Sequence, residues 1–225
     1  MSLSKVIEVA RGDLGYTESP AGSNRTKYWD AYDPKMQGQP WCVSCQWYWF
    51  NQAGERMAFF GGGKTASCSI LLRWYREQGL TVDKMDVQKG DIVLLNFRGG
   101  SEPEHCGLVV NAVDYEDVTR YNTRQTIYYT IEGNTTPGEE ESQDNGGCVA
   151  LKRRFAENIV AVCRPQYKPE EPQPKDDITG HWAEKDIRRC MEHGLMKGYP
   201  DGSFQPDKGV TRAEMATILK RLVEM

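Results

Sequence analysis

The segment spanning residues 38–50, GQPWCVSCQWYWF, holds two cysteines that could do chemistry, Cys42 and Cys45. Their C-x-x-C spacing fits half of a zinc site, a redox pair, or one working thiol beside a structural one. A zinc site needs further ligands, and the sequence has no second C-x-x-C and no H-x-x-x-H. A thioredoxin-like pair directly follows a strand, whereas the polar stretch 15–40 precedes Cys42. A single working thiol is therefore favoured over the other two.

Cys42 is the thiol better placed to react. It lies where a helical pattern begins, because Val43, Trp47 and Phe50 recur after it at helical spacing. A helix N-terminus stabilises a thiolate and offers unpaired N–H groups to a developing oxyanion. Cys45 lies almost one turn further in, where its sulfur is expected to face the interior. Cys42 is therefore the predicted nucleophile.

The partner base can be chosen from only three histidines, His105, His181 and His193. The last two belong to a C-terminal unit beyond a proline-rich stretch, whereas His105 opens the strand-like run HCGLVV. The next strand-like run ends in TIEGN, where Glu132 and Asn134 alternate onto one face. Either residue could accept the ring N–H of His105 and fix its tautomer.

The elements that must position these groups occur as helices first and strands second. That order predicts an α+β fold with helices packed on an antiparallel sheet. Cys106 is expected to point away from His105, into the core. The predicted helices cover residues 4–14, 41–53 and 67–78, and the predicted strands cover 90–97, 105–113, 126–133, 148–155 and 159–165. Residues 15–40 are predicted to form a long loop.

A proline-rich stretch predicts two domains. Residues 165–176 contain four prolines and little to bury, so they are expected to form an extended linker that spans up to roughly 40 Å. The predicted boundaries are residues 1–164, 165–176 and 177–225. In the last segment a helix is expected over 181–193, and TRAE is a capping box in which Thr211 and Glu214 start another helix.

Composition excludes several classes of protein. A net charge of −4 and the lack of a Lys/Arg cluster argue against nucleic-acid binding. No apolar run approaches the roughly 20 residues of a membrane helix. The N-terminus lacks a signal-peptide pattern, so synthesis in the cytoplasm without a signal peptide is expected. Seven cysteines, an odd number, fit a reduced set better than a disulfide framework.

Five segments of the first domain, NRTKYW, GQPWCVSCQWYWFNQAG, QKGDIVLL, EHCGLVV and TIEGN, occur in an order that resembles a cysteine/histidine-dependent amidohydrolase/peptidase (CHAP) domain. The resemblance covers about residues 1–165 and implies a papain-like fold that cleaves peptidoglycan. It assigns the nucleophile to Cys42, the base to His105, and the orienting group to Glu132 with Asn134 nearby. The segment YWDAYDPKMQG does not reproduce the calcium loop of some relatives, so no metal or other cofactor is assigned.

The segment 177–222 is similar to an S-layer homology (SLH) domain through GHWAEKDI, GLMKGYPDGSFQPD and TRAE. The resemblance implies binding of a secondary cell-wall polysaccharide, often pyruvylated. It assigns the anion contact to Arg212, with Asp177, Trp182 and the loop residues Gly202 and Ser203 completing the site. Family members usually carry three repeats and this chain shows one, so association with other copies of the chain is expected.

These features favour a peptidoglycan hydrolase laid out like a phage or prophage endolysin, which acts on the wall after release. The bond cut is either the N-acetylmuramoyl–L-alanine amide or a peptide amide. One alternative is a non-catalytic wall-binding or S-layer-associated protein, and another is a host autolysin.

Overall fold

The computed structural model describes residues 3–117, 123–137, 146–168, 177–199 and 201–223, so residues 169–176 of the predicted linker lie outside it. The chain divides into two compact units, residues 1–169 and residues 170–225. The first unit combines helices with an antiparallel sheet, and the second contains helices in its described part. The expected α+β class is confirmed, whereas the papain-like assignment stays a prediction.

The helices of the first unit precede its sheet. They are α1 (Leu3–Gly12), α2 (Lys27–Tyr32), α3 (Cys42–Gln52), α4 (Arg56–Phe60) and α5 (Cys68–Glu77). The helix α2 and a 3₁₀ turn (Pro34–Met36) lie in the stretch that was expected to be a loop. Thr26 caps α2 by accepting a hydrogen bond from the Trp29 N–H, so a start signal was present in the sequence.

The sheet has six antiparallel strands in the described residues, in the order β1-β6-β2-β3-β4-β5. The strands are β1 (Thr81–Val82), β2 (Ile92–Leu95), β3 (His105–Asp117), β4 (Thr123–Thr135), β5 (Cys148–Phe155) and β6 (Ile159–Cys163). Five of them match predicted runs, and the two-residue β1 is additional. His105 opens β3 opposite Leu95 of β2, in the middle of the sheet.

Helix α3 is the central helix of this unit. Its buried residues lie on every side, including the polar Ser44 and Gln46, which are fully buried. A helix buried on all faces belongs inside a core. One face of the sheet, represented by Leu108 and Ile131, packs in the same cluster as α3, and Val93 and Tyr128 belong to a second cluster. The position of Cys42 is thereby fixed by the main core.

Asp13 ties the first three helices together. Its carboxylate accepts hydrogen bonds from the Tyr28 hydroxyl at 2.9 Å and from the Trp49 indole N–H at 2.8 Å, and it pairs with the Lys27 ammonium. Because charge-assisted bonds are stronger than neutral ones, this carboxylate fixes α2 against α3.

The predicted linker begins later than residue 165. Pro165 is buried, and the Tyr167 ring stacks on Phe50 with centroids 5.7 Å apart. The Tyr167 hydroxyl donates a 2.6 Å hydrogen bond to the Gly90 carbonyl. The chain stays attached to the first unit as far as Lys168, whose N–H bonds Glu55 at 3.3 Å. An aromatic side chain inside a proline-rich stretch was the overlooked signal.

The second unit contains α6 (Glu184–Glu192) and α7 (Arg212–Val223). The capping box forms as predicted: Glu214 accepts from the Thr211 N–H at 2.8 Å, and its own N–H donates to the Thr211 hydroxyl at 3.2 Å. Exposed apolar residues mark α7, with Met215, Leu219 and Leu222 each at least 43% exposed. Across the described parts of both units, no helix is long and apolar enough to cross a membrane.

Candidate active site

Cys42 is the first residue of α3, and Trp41 holds it there. The Trp41 ring is fully buried and stacks on Tyr28 at a centroid distance of 5.1 Å. Its indole N–H donates to the Glu18 carboxylate at 3.3 Å. Trp41 supplies no side-chain cap to the helix. Among the described residues, no cap from this position occupies the first N–H groups of α3, which are suited to an anion beside the Cys42 sulfur.

The Cys42 thiol lies in surroundings that favour its ionised form. It is 7% exposed. Hydrogen bonds with Cys106 and Cys68 lower the pKa of Cys42 most strongly, burial opposes them, and the hydrogen bond and charge of His105 lower it further, for a net value well below the usual range. These surroundings favour the thiolate, which is the reactive form of cysteine.

His105 is buried between Cys42 and Glu132. Its Nε2 lies 3.0 Å from the Glu132 carboxylate. Burial lowers the pKa of His105, but hydrogen bonds with Cys42 and Glu132 and their negative charges outweigh burial and raise it to about 9. Because Nε2 is hydrogen-bonded to Glu132, the other ring nitrogen, Nδ1, is the one that can hydrogen-bond the thiol. The arrangement favours an imidazolium–thiolate pair.

The Glu132 carboxylate is fully buried and held on both oxygens. Arg154 donates to Oε1 at 2.8 Å and to Oε2 at 2.6 Å, and the Thr130 hydroxyl donates to Oε1 at 2.5 Å. Burial raises the pKa of Glu132, but Arg154 and then His105 lower it to about 2. The Arg154 guanidinium also lies 4.7 Å from the centre of the Phe97 ring. Arg154 keeps Glu132 ionised, and the sequence prediction missed it.

Asn134, the other expected partner of His105, occupies a different position. It is buried and adopts a left-handed backbone conformation with φ of 59°. Its Oδ1 accepts no hydrogen bond from the described residues. Of the two orienting groups that the sequence left open, Glu132 is the one that contacts His105.

Two glycines make this arrangement possible. A Cβ on Gly107 would lie 2.9 Å from the Glu132 Cγ, and a Cβ on Gly133 would lie 2.6 Å from the Cys45 sulfur and 2.8 Å from the Trp41 ring. Real Cβ atoms do not approach other atoms so closely. The glycines of HCG and EGN therefore allow Glu132 to reach His105 and let α3 lie directly on β4.

The C-x-x-C pair does not act as a unit. Cys45 is fully buried, and burial raises the pKa of its thiol. The sulfurs near Cys42 instead belong to Cys68 and Cys106, and all three lie within 4.8 Å of one another. The expectation that Cys106 lies in the core is confirmed, because it is fully buried in the main core cluster. Its sulfur also lies close to that of Cys42, the candidate nucleophile, which was not predicted.

Of the residues predicted to bind polysaccharide in the second unit, Asp177 holds a loop in place, and Trp182 and Arg212 are exposed. Asp177 accepts hydrogen bonds from the N–H groups of Phe204 and Gln205 at 2.8 and 2.5 Å. Trp182 is 87% exposed, and Arg212 is exposed at the start of α7. The loop residues Gly202 and Ser203 lie on the clamped loop, where Gly202 has a positive φ of 87° and the Ser203 carbonyl accepts from the Tyr199 N–H at 2.7 Å.

A groove of about 270 Å³ also lies in the second unit. Its wall includes the basic residues Lys197, Lys208 and Arg221 and one acidic residue, Glu214. The Arg221 guanidinium donates to the Leu195 carbonyl at 2.9 Å. The sequence-predicted contacts Arg212, Asp177, Trp182, Gly202 and Ser203 are not part of this wall. A basic groove suits an anionic ligand, and its residues were not singled out from the sequence.

Comparisons with known proteins identify the second unit. The chain is 44% identical over 54 residues to Cell surface glycoprotein 1 and 48% identical over 50 residues to the Cellulosome-anchoring protein, both of Acetivibrio thermocellus. It is 40% identical over 78 residues to the Outer membrane protein SlpA of Deinococcus radiodurans. These matches cover 24%, 22% and 34% of the chain, and the chain spans only 2%, 11% and 7% of the respective relatives.

The family model described as the S-layer homology domain matches residues 176–216. The match includes the Asp177 clamp, α6 and the capping box at the start of α7. Residues 176–216 therefore form a domain of the S-layer homology family.

Proposed function

We propose that the chain is a thiol-dependent hydrolase of an amide bond in bacterial peptidoglycan, held on the cell wall by its SLH domain. One observation carries the catalytic part: the buried 3.0 Å contact between His105 and Glu132, beside a Cys42 thiol at a helix N-terminus. A nucleophile, a base and a group that orients the base are the parts that thiol hydrolysis needs.

In the proposed mechanism, the Cys42 thiolate attacks the carbonyl carbon of the scissile amide. Free N–H groups at the start of α3 stabilise the resulting oxyanion. The His105 imidazolium gives its proton to the departing amine as the C–N bond breaks and a thioester forms. Water then attacks the thioester while His105 takes its proton, which releases the acid and restores Cys42.

Glu132 and Arg154 hold His105 in position throughout this cycle. Glu132 fixes the ring of His105 through Nε2 and stabilises its positive charge. Arg154 holds Glu132 ionised, so the carboxylate orients His105 and does not take up its proton. Arg154 is thus a positioning residue that acts through Glu132.

The wall is proposed as the substrate because the resemblance of the first unit and the identity of the second agree. The matched relatives include a cell surface glycoprotein and a cellulosome-anchoring protein, and we extend surface attachment to this chain. Arg212 and the basic groove residues Lys197 and Lys208 suit an anionic wall polysaccharide, such as one with ketal carboxylates. Anchoring raises the effective concentration of the first unit at peptidoglycan.

A turbidity assay on purified cell walls tests the proposal. The wild-type chain is expected to clear the suspension, and Cys42→Ala is expected to abolish clearing while the protein still sediments with the walls. Cys45→Ala is the matched control, because this second buried thiol of α3 should retain most of the rate. Clearing by Cys42→Ala, or its loss in a folded Cys45→Ala variant alone, would contradict the assignment.

Mass spectrometry of the digest separates the two candidate bonds. Free muramoyl carboxyl ends indicate an N-acetylmuramoyl–L-alanine amidase, and new amino termini within the peptides indicate an endopeptidase. Phage-endolysin and host-autolysin roles share this chemistry, and a neighbouring holin gene would favour the former.

The second candidate function is attachment without catalysis, as in an S-layer-associated protein. The comparisons favour it more directly than hydrolysis, because the family match lies in the SLH domain and the relatives reported above are named as surface, anchoring or outer membrane proteins. In the same assay, a wild-type chain that sediments with walls but never clears them, with or without iodoacetamide, would support this candidate and exclude the hydrolase.

A further inference from the structure

Three thiols from distant parts of the chain meet beside the candidate nucleophile. The sulfurs of Cys42, Cys68 and Cys106 all lie within 4.8 Å of one another. They are 7%, 7% and 0% exposed. The cluster draws on the starts of α3 and α5 and on the second residue of β3. The proposed reaction uses only Cys42, so the other two thiols need a separate account.

The N-termini of two helices meet at the cluster. Cys42 and Cys68 each open a helix of at least ten residues, so both N-terminal dipoles point toward the cluster. Ser67 fixes the start of α5 by accepting from the Ile70 N–H at 3.3 Å. His105, which is hydrogen-bonded to Cys42, immediately precedes Cys106 in β3.

The spacing of the sulfurs matches metal coordination better than a disulfide. A zinc–thiolate bond of about 2.3 Å places the sulfurs of a trigonal or tetrahedral site about 4 Å apart. A disulfide requires about 2.05 Å between two sulfurs, which leaves the third unused. The observed separations therefore need only a small contraction to hold one ion among all three sulfurs.

The donor set selects the class of ion. Three sulfur ligands suit soft or borderline ions such as Zn²⁺, Cd²⁺ and Cu⁺, and they disfavour Ca²⁺ and Mg²⁺. The buried carboxylate on His105, Glu132, is already hydrogen-bonded by Arg154, Thr130 and His105.

We propose that Cys42, Cys68 and Cys106 form a binding site for one thiophilic metal ion, with Zn²⁺ as its physiological representative. Binding displaces the remaining thiol protons to solvent and involves no redox step. Since the ion takes the lone pair of the Cys42 sulfur, the same thiolate cannot attack an amide. The inhibitory consequence rests on the proposed hydrolase function, whereas the binding itself does not.

Spectroscopic titration of the full chain tests the binding. Protein kept reduced with a phosphine and stripped with EDTA receives Cd²⁺, and the thiolate-to-metal charge-transfer band is followed in the ultraviolet. The band is expected to saturate at one equivalent, and the ¹¹³Cd NMR shift is expected to report three sulfur ligands. No band at stoichiometric Cd²⁺ in fully reduced wild-type protein overturns the site, as does a shift typical of fewer than three sulfurs.

Variants locate the ion. Cys68→Ala and Cys106→Ala should each weaken Cd²⁺ binding by roughly tenfold or more, because each removes a direct ligand. Cys45→Ala is the matched control, a buried cysteine outside the cluster, and it should bind as the wild type does. Thermal melts confirm that each variant is folded. Wild-type affinity in a folded Cys68→Ala variant, or in a folded Cys106→Ala variant, overturns the proposal.

The wall-clearing assay tests inhibition by the metal ion separately from the hydrolase activity of the metal-free protein. One equivalent of Zn²⁺ should lower the clearing rate of the wild type roughly tenfold, and EDTA should restore it. Cys68→Ala, compared with its own metal-free rate, should be far less sensitive to Zn²⁺. Failure of the metal-free wild type to clear walls would count against the hydrolase but leave the Cd²⁺ result intact. Undiminished clearing with the ion bound would overturn the inhibitory role.

Discussion

Glu132 is the residue on which the most contacts of the site converge. Its two oxygens receive bonds from His105, Arg154 and Thr130, and none of the carboxylate is exposed. Burying a carboxylate is costly unless it is paired and fully hydrogen-bonded. Both oxygens of Glu132 have partners, so the free-energy cost of burying this carboxylate appears only when one partner is removed.

Replacing Glu132 by Gln should therefore destabilise the protein by about 3–5 kcal/mol, because the buried Arg154 loses its counter-charge. Urea unfolding measures the change, and Glu132→Gln should also slow wall clearing. The control is Glu8→Gln, which removes a carboxylate that is 69% exposed and paired with Lys5. It should cost less than about 1 kcal/mol. Equal losses in the two variants would argue against a buried ion network.

The pKa of His105 predicts the alkaline limit of activity for metal-free protein. Activity needs a protonated His105 beside the Cys42 thiolate, and the pKa of His105 is raised to about 9. Clearing measured with EDTA present should therefore persist above neutral pH and fall as pH rises through about 9. The contribution of charged His105 to folding stability depends on pH in the same direction. It is complete below about pH 6.5 and is lost as the pH rises through about 9, the raised pKa of His105.

The rate of Cys42 alkylation by iodoacetamide measures the ionisation of this thiol independently of wall clearing. Because the pKa of Cys42 is lowered well below its usual range, alkylation should stay fast below neutral pH, unlike that of the urea-unfolded chain.

For wall clearing, an alkaline limit near pH 6.5, the ordinary pKa of histidine, would contradict the ion pair of His105 and Cys42.

Single residues of the site differ in how well the sequence predicts them. The contact between Cys42 and His105 could be predicted because Cys42 opens a helix and the sequence has few histidines. Arg154 was missed because a basic residue in the run KRRF resembles a solvated strand face. Cys68 and Cys106 were missed because nothing in the local sequence shows that two helix starts converge on β3. Contacts set by tertiary packing leave no local signature.

At the scale of elements, the contact between α3 and β4 decides the geometry of the site. Gly133 lets the strand lie against Cys45 and Trp41 with no side chain between them. Since Trp41 immediately precedes Cys42, any displacement of α3 also displaces the nucleophile from His105.

Gly133→Ala should therefore lower both stability and wall clearing. The new Cβ would meet the Cys45 Cβ at 2.7 Å, and overpacking of this kind costs about 1–3 kcal/mol. The matched control is Gly12→Ala in α1, where a Cβ would meet nothing within 4 Å and should be neutral or stabilising by up to about 1 kcal/mol. Unfolding in urea and the turbidity rate measure both effects. Full activity of Gly133→Ala would show that α3 tolerates displacement.

Elements were predictable where their own sequence pattern was long. The strands β2 to β6 and the helices α1, α3 and α5 follow apolar periodicity, and their starts agree within a few residues. The six-residue α2 and two-residue β1 are too short for any periodicity. Tertiary contacts stabilise them, as the bonds of Asp13 to Tyr28 and of Thr81 to its β6 neighbour show.

At the scale of the whole molecule, the second unit has an apolar helix face on α7 that is about half exposed. Met215, Leu219 and Leu222 recur at i, i+4 and i+7 of α7 and are 43%, 52% and 55% exposed. No residue of α7 is buried. A unit this small buries little surface alone, so association with other copies is expected.

Sedimentation equilibrium of the full chain tests this expectation. The wild type should give a mass that is a multiple of one chain and depends on concentration, and Leu219→Lys should give the mass of one chain. Lys185→Glu, at an exposed position on α6, is the control and should associate as the wild type does. A wild-type protein that stays monomeric at every concentration tested would rule out self-association.

The packing of Tyr167 has a mechanical consequence. A chain anchored at one end to a wall and working at the other transmits any pull along its connecting segment. The first contacts that resist such a pull in the first unit are the bond of the Lys168 N–H to Glu55, and then the Tyr167 ring stack on Phe50 and hydroxyl bond to Gly90. Phe50 belongs to α3, the helix that begins with Cys42. Tension along the chain is therefore delivered to the body of α3, eight residues from the candidate nucleophile, while the bond to Gly90 shares the load with the turn before β2.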